Sequence, residues 1–300
     1  MKVFQTGGTG YVGSVVANEL LAAGHMVTGL AQSEETAARL KTMGIAAVVG
    51  DLADEALIQR AARDADGVIH QAMRPDNKAG EADRAAVRAI LAGLAGTHKP
   101  FVYTSGLWVL GSTGDKVADE SAPVNPIPMV AFRPAGEQQT LTAPNIRGIV
   151  IRPANAYGRG GGIIALMMQW ARRDGVVKYI GTGENRWPMV HVDDLAVLYV
   201  QALEKAPRGS LLHGCSTTGI KVREIVGAIA RAMGMPGKTR SWSYDDARQA
   251  LDGFADALAL DLQASGTAAQ RLLGWKPTGP SLLDDIEHGS YARLRAGMAM

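Results

Sequence analysis

The chain has 300 residues, 47% of them hydrophobic and 20% charged. That composition excludes disorder, because it can bury enough apolar surface to offset the entropy of ordering. Lys and Arg (31) against Asp and Glu (29) leave a formal charge of +2, too little to attract nucleic acid or a membrane surface. No apolar run is long enough to span a bilayer, and the scattered His residues show no zinc-ligand spacing, so no metal is expected. Cys215 is the only cysteine, so no internal disulfide forms and a reducing, cytoplasmic setting is expected. The N-terminus runs directly into a strand pattern without the apolar core of a signal peptide.

Taken in chain order, the first half alternates short β-branched runs with Ala- and Leu-rich stretches. Met1 to Thr6 reads as a strand, Gly10 to Ala23 as a helix closed by Gly24, and Met26 to Leu30 as a strand. Glu34 to Met43 is the next helix, Ile45 to Val49 a strand, Glu55 to Ala62 a helix and Gly67 to His70 a strand. Ala82 to Leu94, Phe101 to Thr104, Val130 to Leu141 and Gly148 to Ile151 continue the helix–strand alternation. This order predicts parallel βαβ units in a doubly wound α/β sheet. Beyond Arg152 the pattern loosens. Helices are expected over Ile163 to Arg173, Asp193 to Lys205, Val222 to Met233, Thr267 to Leu273 and Leu282 to Leu294. Strands are expected over Val176 to Ile180 and Leu211 to Cys215, with Gly297 to Met300 frayed. The expected division is 1–155, a nucleotide-binding domain, and 156–300, a smaller and mostly helical substrate region with later segments returning to the sheet.

The strongest motif is Thr6-Gly7-Gly8-Thr9-Gly10-Tyr11-Val12-Gly13, set between the first strand and the first helix. Gly7 permits a tight turn, Gly10 lets the backbone approach a pyrophosphate, and Gly13 lets helix and strand pack closely. The helix N-terminus then offers unpaired N–H groups to phosphate. Thr9, Tyr11 and Val12 complete the expected cofactor contacts; the bland alternative is a glycine-rich turn. Asp51 and Leu52 follow the third strand, where Asp51 either accepts from an adenine amino group or caps the next helix. Gln71 and Ala72 follow the fourth strand, where small residues let a ribose pass. Gln32 and Ser33 end the second strand without an acid, which points to a modest preference for NADP(H) over NAD(H). Ser33 equally reads as a helix cap.

These motifs, with Tyr103-Thr104-Ser105, Arg152-Pro153-Ala154-Asn155-Ala156-Tyr157-Gly158 and Val190-His191-Val192-Asp193-Asp194, resemble the short-chain dehydrogenase/reductase superfamily. The similarity is to its extended branch of NAD-dependent epimerases and dehydratases, and it covers almost the whole chain. It implies a Rossmann-type cofactor domain, with Thr104, Pro153 and Asn155 at the nicotinamide end, and a cleft against the substrate region. It also implies a Tyr-x-x-x-Lys pair, whose lysine lowers the tyrosine pKa for proton exchange with substrate. Here those positions hold Phe132 and Gly136, and the family's catalytic Ser/Thr position falls on Gly106.

Ser105 and Tyr157 are therefore the expected catalytic substitutes, with an ordered water as the other proton source; Ser105 equally reads as a hydroxyl bracing the strand end, and Tyr157 as a packing residue. Trp108 is expected to touch substrate, and Arg186 to hold an anionic group or to lie on the surface. Tyr103 reads as a sheet-core residue and His70 as a packed strand-end residue. Arg133 and Glu137 are four apart and could pair on one helix face, either in the cleft or toward solvent. Trp170, Trp187, Trp242 and Trp275 are candidates for a pocket or for core. The expected activity is that of an NAD(P)-binding oxidoreductase-like protein acting on a small carbonyl, hydroxyl or sugar-like substrate. A catalytically silent NAD(P) sensor and a non-redox isomerase, dehydratase or cyclase are the alternatives, with a homodimer left open.

Overall fold

Seven parallel strands form the centre of the computed structural model, which describes residues 1–292. The last residues of the expected Leu282 to Leu294 helix, and the expected fraying of Gly297 to Met300, lie outside the described residues. In the first half, β1 (Lys2–Thr6), β2 (Met26–Ala31), β3 (Ala46–Val49), β4 (Gly67–His70), β5 (Pro100–Thr104) and β6 (Arg147–Pro153) alternate with helices. Those helices are α1 (Tyr11–Ala22), α2 (Glu34–Thr42), α3 (Glu55–Asp64), α4 (Ala79–Leu94) and α5 (Arg133–Thr142). The second half contributes strands β7 (Asn155–Tyr157), β8 (Val177–Ile180), β9 (Arg186–Trp187), β10 (Met189–His191), β11 (Ser210–Gly214), β12 (Ile220–Lys221) and β13 (Thr239–Trp242). Its helices are α6 (Gly162–Asp174), α7 (Val192–Lys205), α8 (Val222–Ala232), α9 (Tyr244–Leu251), α10 (Phe254–Ala259), α11 (Thr267–Leu273) and α12 (Leu282–His288).

The main sheet runs β11-β6-β5-β4-β1-β2-β3, a Rossmann-type order that reverses between β1 and β4. At such a reversal the loops above adjacent strands diverge and leave a crevice beyond the carboxyl ends. Strands such as β4 and β5 read as unbroken apolar runs because helices cover both faces of the sheet. Val3, Ile69, Val102, Ile149 and Leu212 face one core with α1 and α7, while Phe4, Val68, Phe101 and Val150 face another with α3 and α4. The last strand comes from far along the chain: β11 pairs in parallel with β6, His213 opposite Arg152.

Most of the later residues build a second apolar cluster, in which α6 (Ile164, Met168) packs with Trp187 and with α8 (Ile225, Ile229). Three two-stranded sheets knit it together: β7 with β10, β9 with β12, and β8 with β13. The carboxylate of Asp194, on the first turn of α7, accepts from the backbone of Thr278 and Gly279, and its carbonyl accepts from the Trp275 indole. The Tyr11 hydroxyl donates to the Gly158 carbonyl at 2.8 Å, tying the glycine loop to the substrate side. No helix among the described residues is long and apolar enough to cross a membrane.

His213 generates a test of this packing. It is buried in β11 with Nε2 3.5 Å from Arg152 Nη1. Burial first, and then the Arg152 charge, push its imidazole down to about 4. The unfolded chain takes up this proton near pH 6.5 and the folded chain does not, so stability falls as pH drops from about 6.5 to 4, by about 3 kcal/mol. Urea unfolding at pH 7 and pH 4.5 is expected to show this loss, and His213→Gln to remove it from the difference between the two conditions.

Candidate active site

The site begins in the glycine loop. Gly7 has φ +79°, and a Cβ there would stand 2.8 Å from the Ala72 amide nitrogen, so this turn and its approach to the β4 loop both require glycine. A Cβ on Gly13 would run into the Gly7 carbonyl, which keeps α1 pressed on the loop. At Gly10 a Cβ would meet only the Gly7 oxygen, at 3.3 Å, and otherwise open space. Gly10 starts α1 without a side-chain cap, so the first-turn amides are available to a ligand. Beneath the loop, Thr6 Oγ1 accepts from the Gln71 and Ala72 amides at 3.2 Å each and shares a 2.6 Å hydrogen bond with His70 Nδ1.

Beyond β2 and β3 the expected adenine and ribose positions come together, since the Gly50 amide donates to the Ala31 carbonyl. Gln32 is exposed there, while Ser33 caps α2 by accepting from the Thr36 amide at 3.1 Å. Leu52 is buried. Asp51 Oδ1 accepts from the Ala53 amide, and the cap of α3 is Asp54. Asp51 also carries a partner that its sequence neighbours do not reveal. Arg74, from the loop after β4, places Nη1 3.2 Å from Asp51 Oδ2 and Nη2 2.8 Å from Asp76.

Beyond β5 and β6 lies a cavity of about 500 Å3. Tyr11, Val12, Pro153 and Asn155 line it on the cofactor side, and Ser105, Gly106, Trp108, Arg133 and Phe254 line the rest. Among the described residues, the Ser105 hydroxyl is buried without a hydrogen-bond partner. Trp108 meets Phe254 edge-on at 6.1 Å, and Phe254 in turn meets Trp170 at 6.4 Å. Trp170, Trp187 and Trp242 line a second cavity of about 270 Å3, whereas Trp275 is core.

Behind the first cavity is a buried polar network. Arg133 Nη1 donates to Asp83 Oδ1 at 2.8 Å, to the Thr104 carbonyl at 2.8 Å and to the Tyr103 hydroxyl at 3.3 Å. The Tyr103 hydroxyl donates to Asp83 Oδ2 at 2.8 Å, and His70 Nε2 stands 3.4 Å from Asp83 Oδ1. Thr104 Oγ1 accepts from Tyr199 at 2.8 Å. Burial alone would raise the Asp83 carboxyl, but His70 and the Arg133 charge outweigh it and hold the group below the usual carboxylate range. Burial pushes the Tyr103 phenol well above its ordinary value, so it remains a donor.

Several expected residues stand elsewhere. Arg133 and Glu137 are neither a pair nor a solvated face: both are buried, and Glu137 holds Arg152 bidentately at 2.8 and 2.6 Å. Tyr157 is packed in the second cluster and donates to the Pro280 carbonyl at 2.7 Å, so its hydroxyl is committed away from the cavity. Arg186 is ion-paired with Asp261 at 2.8 Å and Asp115 at 3.1 Å and does not line the first cavity. Tyr103 is a sheet-core residue, yet its hydroxyl reaches the network. Asp83 and Phe254 were missed. Asp83 left a signal, a lone acid on the Ala86, Val87, Ile90 and Leu94 stripe of α4.

The absent lysine has a steric cause. A Cβ on Gly136 would stand 2.6 Å from the Tyr103 hydroxyl oxygen and 2.7 Å from its ring carbon. A Gly-to-Ala change inside a helix ordinarily stabilises by up to about 1 kcal/mol. Here Gly136→Ala is expected to destabilise by about 1–3 kcal/mol, as overpacking does. Denaturant unfolding checks the sign. Gly136→Lys is expected to be worse, so Phe132→Tyr with Gly136→Lys leaves the fold damaged instead of installing the missing pair.

Comparison with known proteins agrees with this architecture. The protein C2A9.02 of Schizosaccharomyces pombe is 36% identical over 300 residues, covering 97% of this chain and all of that one. The 2-alkyl-3-oxoalkanoate reductase of Stenotrophomonas maltophilia is 24% identical over 266 residues, 82% of this chain and 80% of the reductase. Among solved structures, the dTDP-glucose 4,6-dehydratase DesIV of Streptomyces venezuelae, with NAD and TYD bound, shares the fold with a TM-score of 0.81. It is 22% identical, with 99% of this chain and 98% of that one covered. The sequence model of the NAD dependent epimerase/dehydratase family matches residues 3–211, and the chain belongs to that family.

Proposed function

We propose that the protein is an NAD(P)(H)-dependent oxidoreductase of non-standard site, acting in the cytoplasm on a small carbonyl or hydroxyl compound. The observation that carries this reading is the junction of two features at one crevice. The glycine loop leaves open space at Gly10 above an uncapped helix, and the cavity beside it holds the unpartnered Ser105 hydroxyl. The loop therefore fits a dinucleotide by its own shape. Gly7, Thr9, Gly10, Tyr11, Val12 and Gly13 would hold the pyrophosphate, Asp51 and Leu52 the adenine, and Gln71 and Ala72 the adjoining ribose. Thr104, Pro153 and Asn155 would flank the nicotinamide end. A bound nicotinamide would supply hydride chemistry.

The chain's own residues do the rest. Trp108 and Phe254 form an aromatic wall of the cavity, and Ser105 can donate to a substrate oxygen. Burial, followed by the nearby Tyr291, raises the Tyr11 phenol far above its ordinary value, so it acts as a hydrogen-bond donor and not as a base. Cys215 is buried and its thiol is pushed up to about 12, which leaves it no part in the chemistry. Without the tyrosine–lysine pair, the general acid–base contribution of about 10²–10⁴-fold is reduced or comes from elsewhere.

Two measurements test the cofactor. Gly10→Val is tolerated by the backbone, extended at φ −74°, but fills the phosphate path. It is expected to weaken binding of reduced cofactor at least tenfold, about 1.4 kcal/mol. Unchanged binding in calorimetry of the folded variant would overturn the dinucleotide reading. A modest preference for NADPH over NADH is expected in parallel titrations, because Gln32 and Ser33 bring no acid and Arg74, ion-paired with Asp51 and Asp76, is the guanidinium a 2′-phosphate would have to recruit from those partners. Arg74→Gln is expected to reduce NADPH affinity more than NADH affinity.

A further inference from the structure

Among the described residues, Arg133 is the one charged residue lining the first cavity, and it is almost wholly buried. All three of its hydrogen bonds within the network leave from Nη1, toward Asp83, Tyr103 and the Thr104 carbonyl. The carbonyl it holds belongs to the peptide that leads directly into Ser105. A guanidinium anchored through Nη1 and a buried hydroxyl without a partner among the described residues therefore both line the cavity at the end of β5. Apart from Tyr11 and Asn155 on the cofactor side, the remaining wall is largely apolar, with Met73, Trp108, Met129, Leu166 and Phe254. An unpartnered buried hydroxyl is costly unless a ligand satisfies it.

We infer that Arg133 and Ser105 together bind the carbonyl oxygen of an uncharged, flat apolar or aromatic substrate, Arg133 supplying the positive electrostatics that Phe132 and Gly136 cannot. This rests on the proposed function only in placing the substrate beside the cofactor. A guanidinium stays protonated at any working pH and does not give up its proton. Its role is to polarise the oxygen and fix its direction, as preorganised donors do in a dry site. Asp83 is a positioning residue: it neutralises Arg133, so the buried pair has no net charge for a desolvated anionic substrate. The Tyr103 ring both occupies the space a lysine needs and braces this substitute.

The test uses benzamide, an unreactive aromatic carbonyl labelled with 13C at the carbonyl, against the whole protein with and without saturating NADPH. Wild type is expected to bind it and to move the carbonyl resonance downfield, the signature of a polarised C=O. Ser105→Ala leaves the ion pair intact. Arg133→Met with Asp83→Asn removes both charges, so no carboxylate is left buried alone. Each is expected to weaken benzamide at least tenfold, the loss of one strong hydrogen bond, and to abolish the downfield shift; Ser105→Ala, which leaves the Asp83 network whole, is expected to keep NADPH affinity unchanged within about twofold. Should the double variant fail to fold, Ser105→Ala decides the matter. Wild type that does not bind benzamide, or variants that bind it equally and with the same shift, would overturn the inference. Failure of NADPH to bind would overturn the cofactor reading alone, because the benzamide comparison without cofactor still stands.

Discussion

The carboxylate of Asp83 sits inside the protein, on the sheetward face of α4, and holds groups from three other elements. Tyr103 of β5 and Arg133 of α5 bond to it directly, and His70 of β4 approaches it at 3.4 Å. His70 passes the constraint on to Thr6, whose hydroxyl receives the amides of the β4 loop against which Gly7 is pressed. One buried charge thus aligns the strand ends that form the crevice. Removing a single partner from a buried pair costs about 3–5 kcal/mol, since the survivor is left uncompensated. Because Asp83 is held below the usual carboxylate range, its contribution persists above that range and is lost only as pH falls through the lowered value.

The departures from the family's pattern form one packed arrangement and not a set of separate losses. A phenol at position 103 fills the volume that a side chain at 136 would need. Glycine at 136 lets that phenol lie against α5, and the helix can then start with Arg133 turned inward. Phe132 covers the guanidinium, 4.9 Å from ring centroid to Cζ. With the lysine excluded by volume, the positive charge of the cavity wall comes from a residue one turn earlier and on a different footing, hydrogen bonded instead of free to move.

The substrate side of the cavity is shaped by residues distant in sequence. Phe254, at the start of α10, stands between Trp108 and Trp170 and separates the two cavities with an aromatic wall. Arg186, which lines neither cavity, is ion-paired with Asp261 and Asp115. Arg173 and Lys178, beside the second cavity, are both bound to Asp174. In the first cavity the charge is that of Arg133, and Ser105, Tyr11 and Asn155 add polar atoms to an otherwise largely apolar wall.

The sequence by itself determined the strand–helix alternation through β6, the parallel sheet and the glycine loop, because side-chain period and turn chemistry are local properties. A glycine at φ +79° or a helix begun without a side-chain cap is written into a few consecutive residues. Short strands such as β9 and β12 carry no period and formed only where partners met them. The four-residue spacing of Arg133 and Glu137 is the same whether that face looks to water or to core. Only Asp83 and Arg152, brought from α4 and β6, turned both inward. Tyr157 and Arg186 were chemically able to act, and tertiary contacts with Pro280 and Asp261 committed them elsewhere. Local sequence states what a residue can do; which partner reaches it first is decided by packing between segments far apart in the chain.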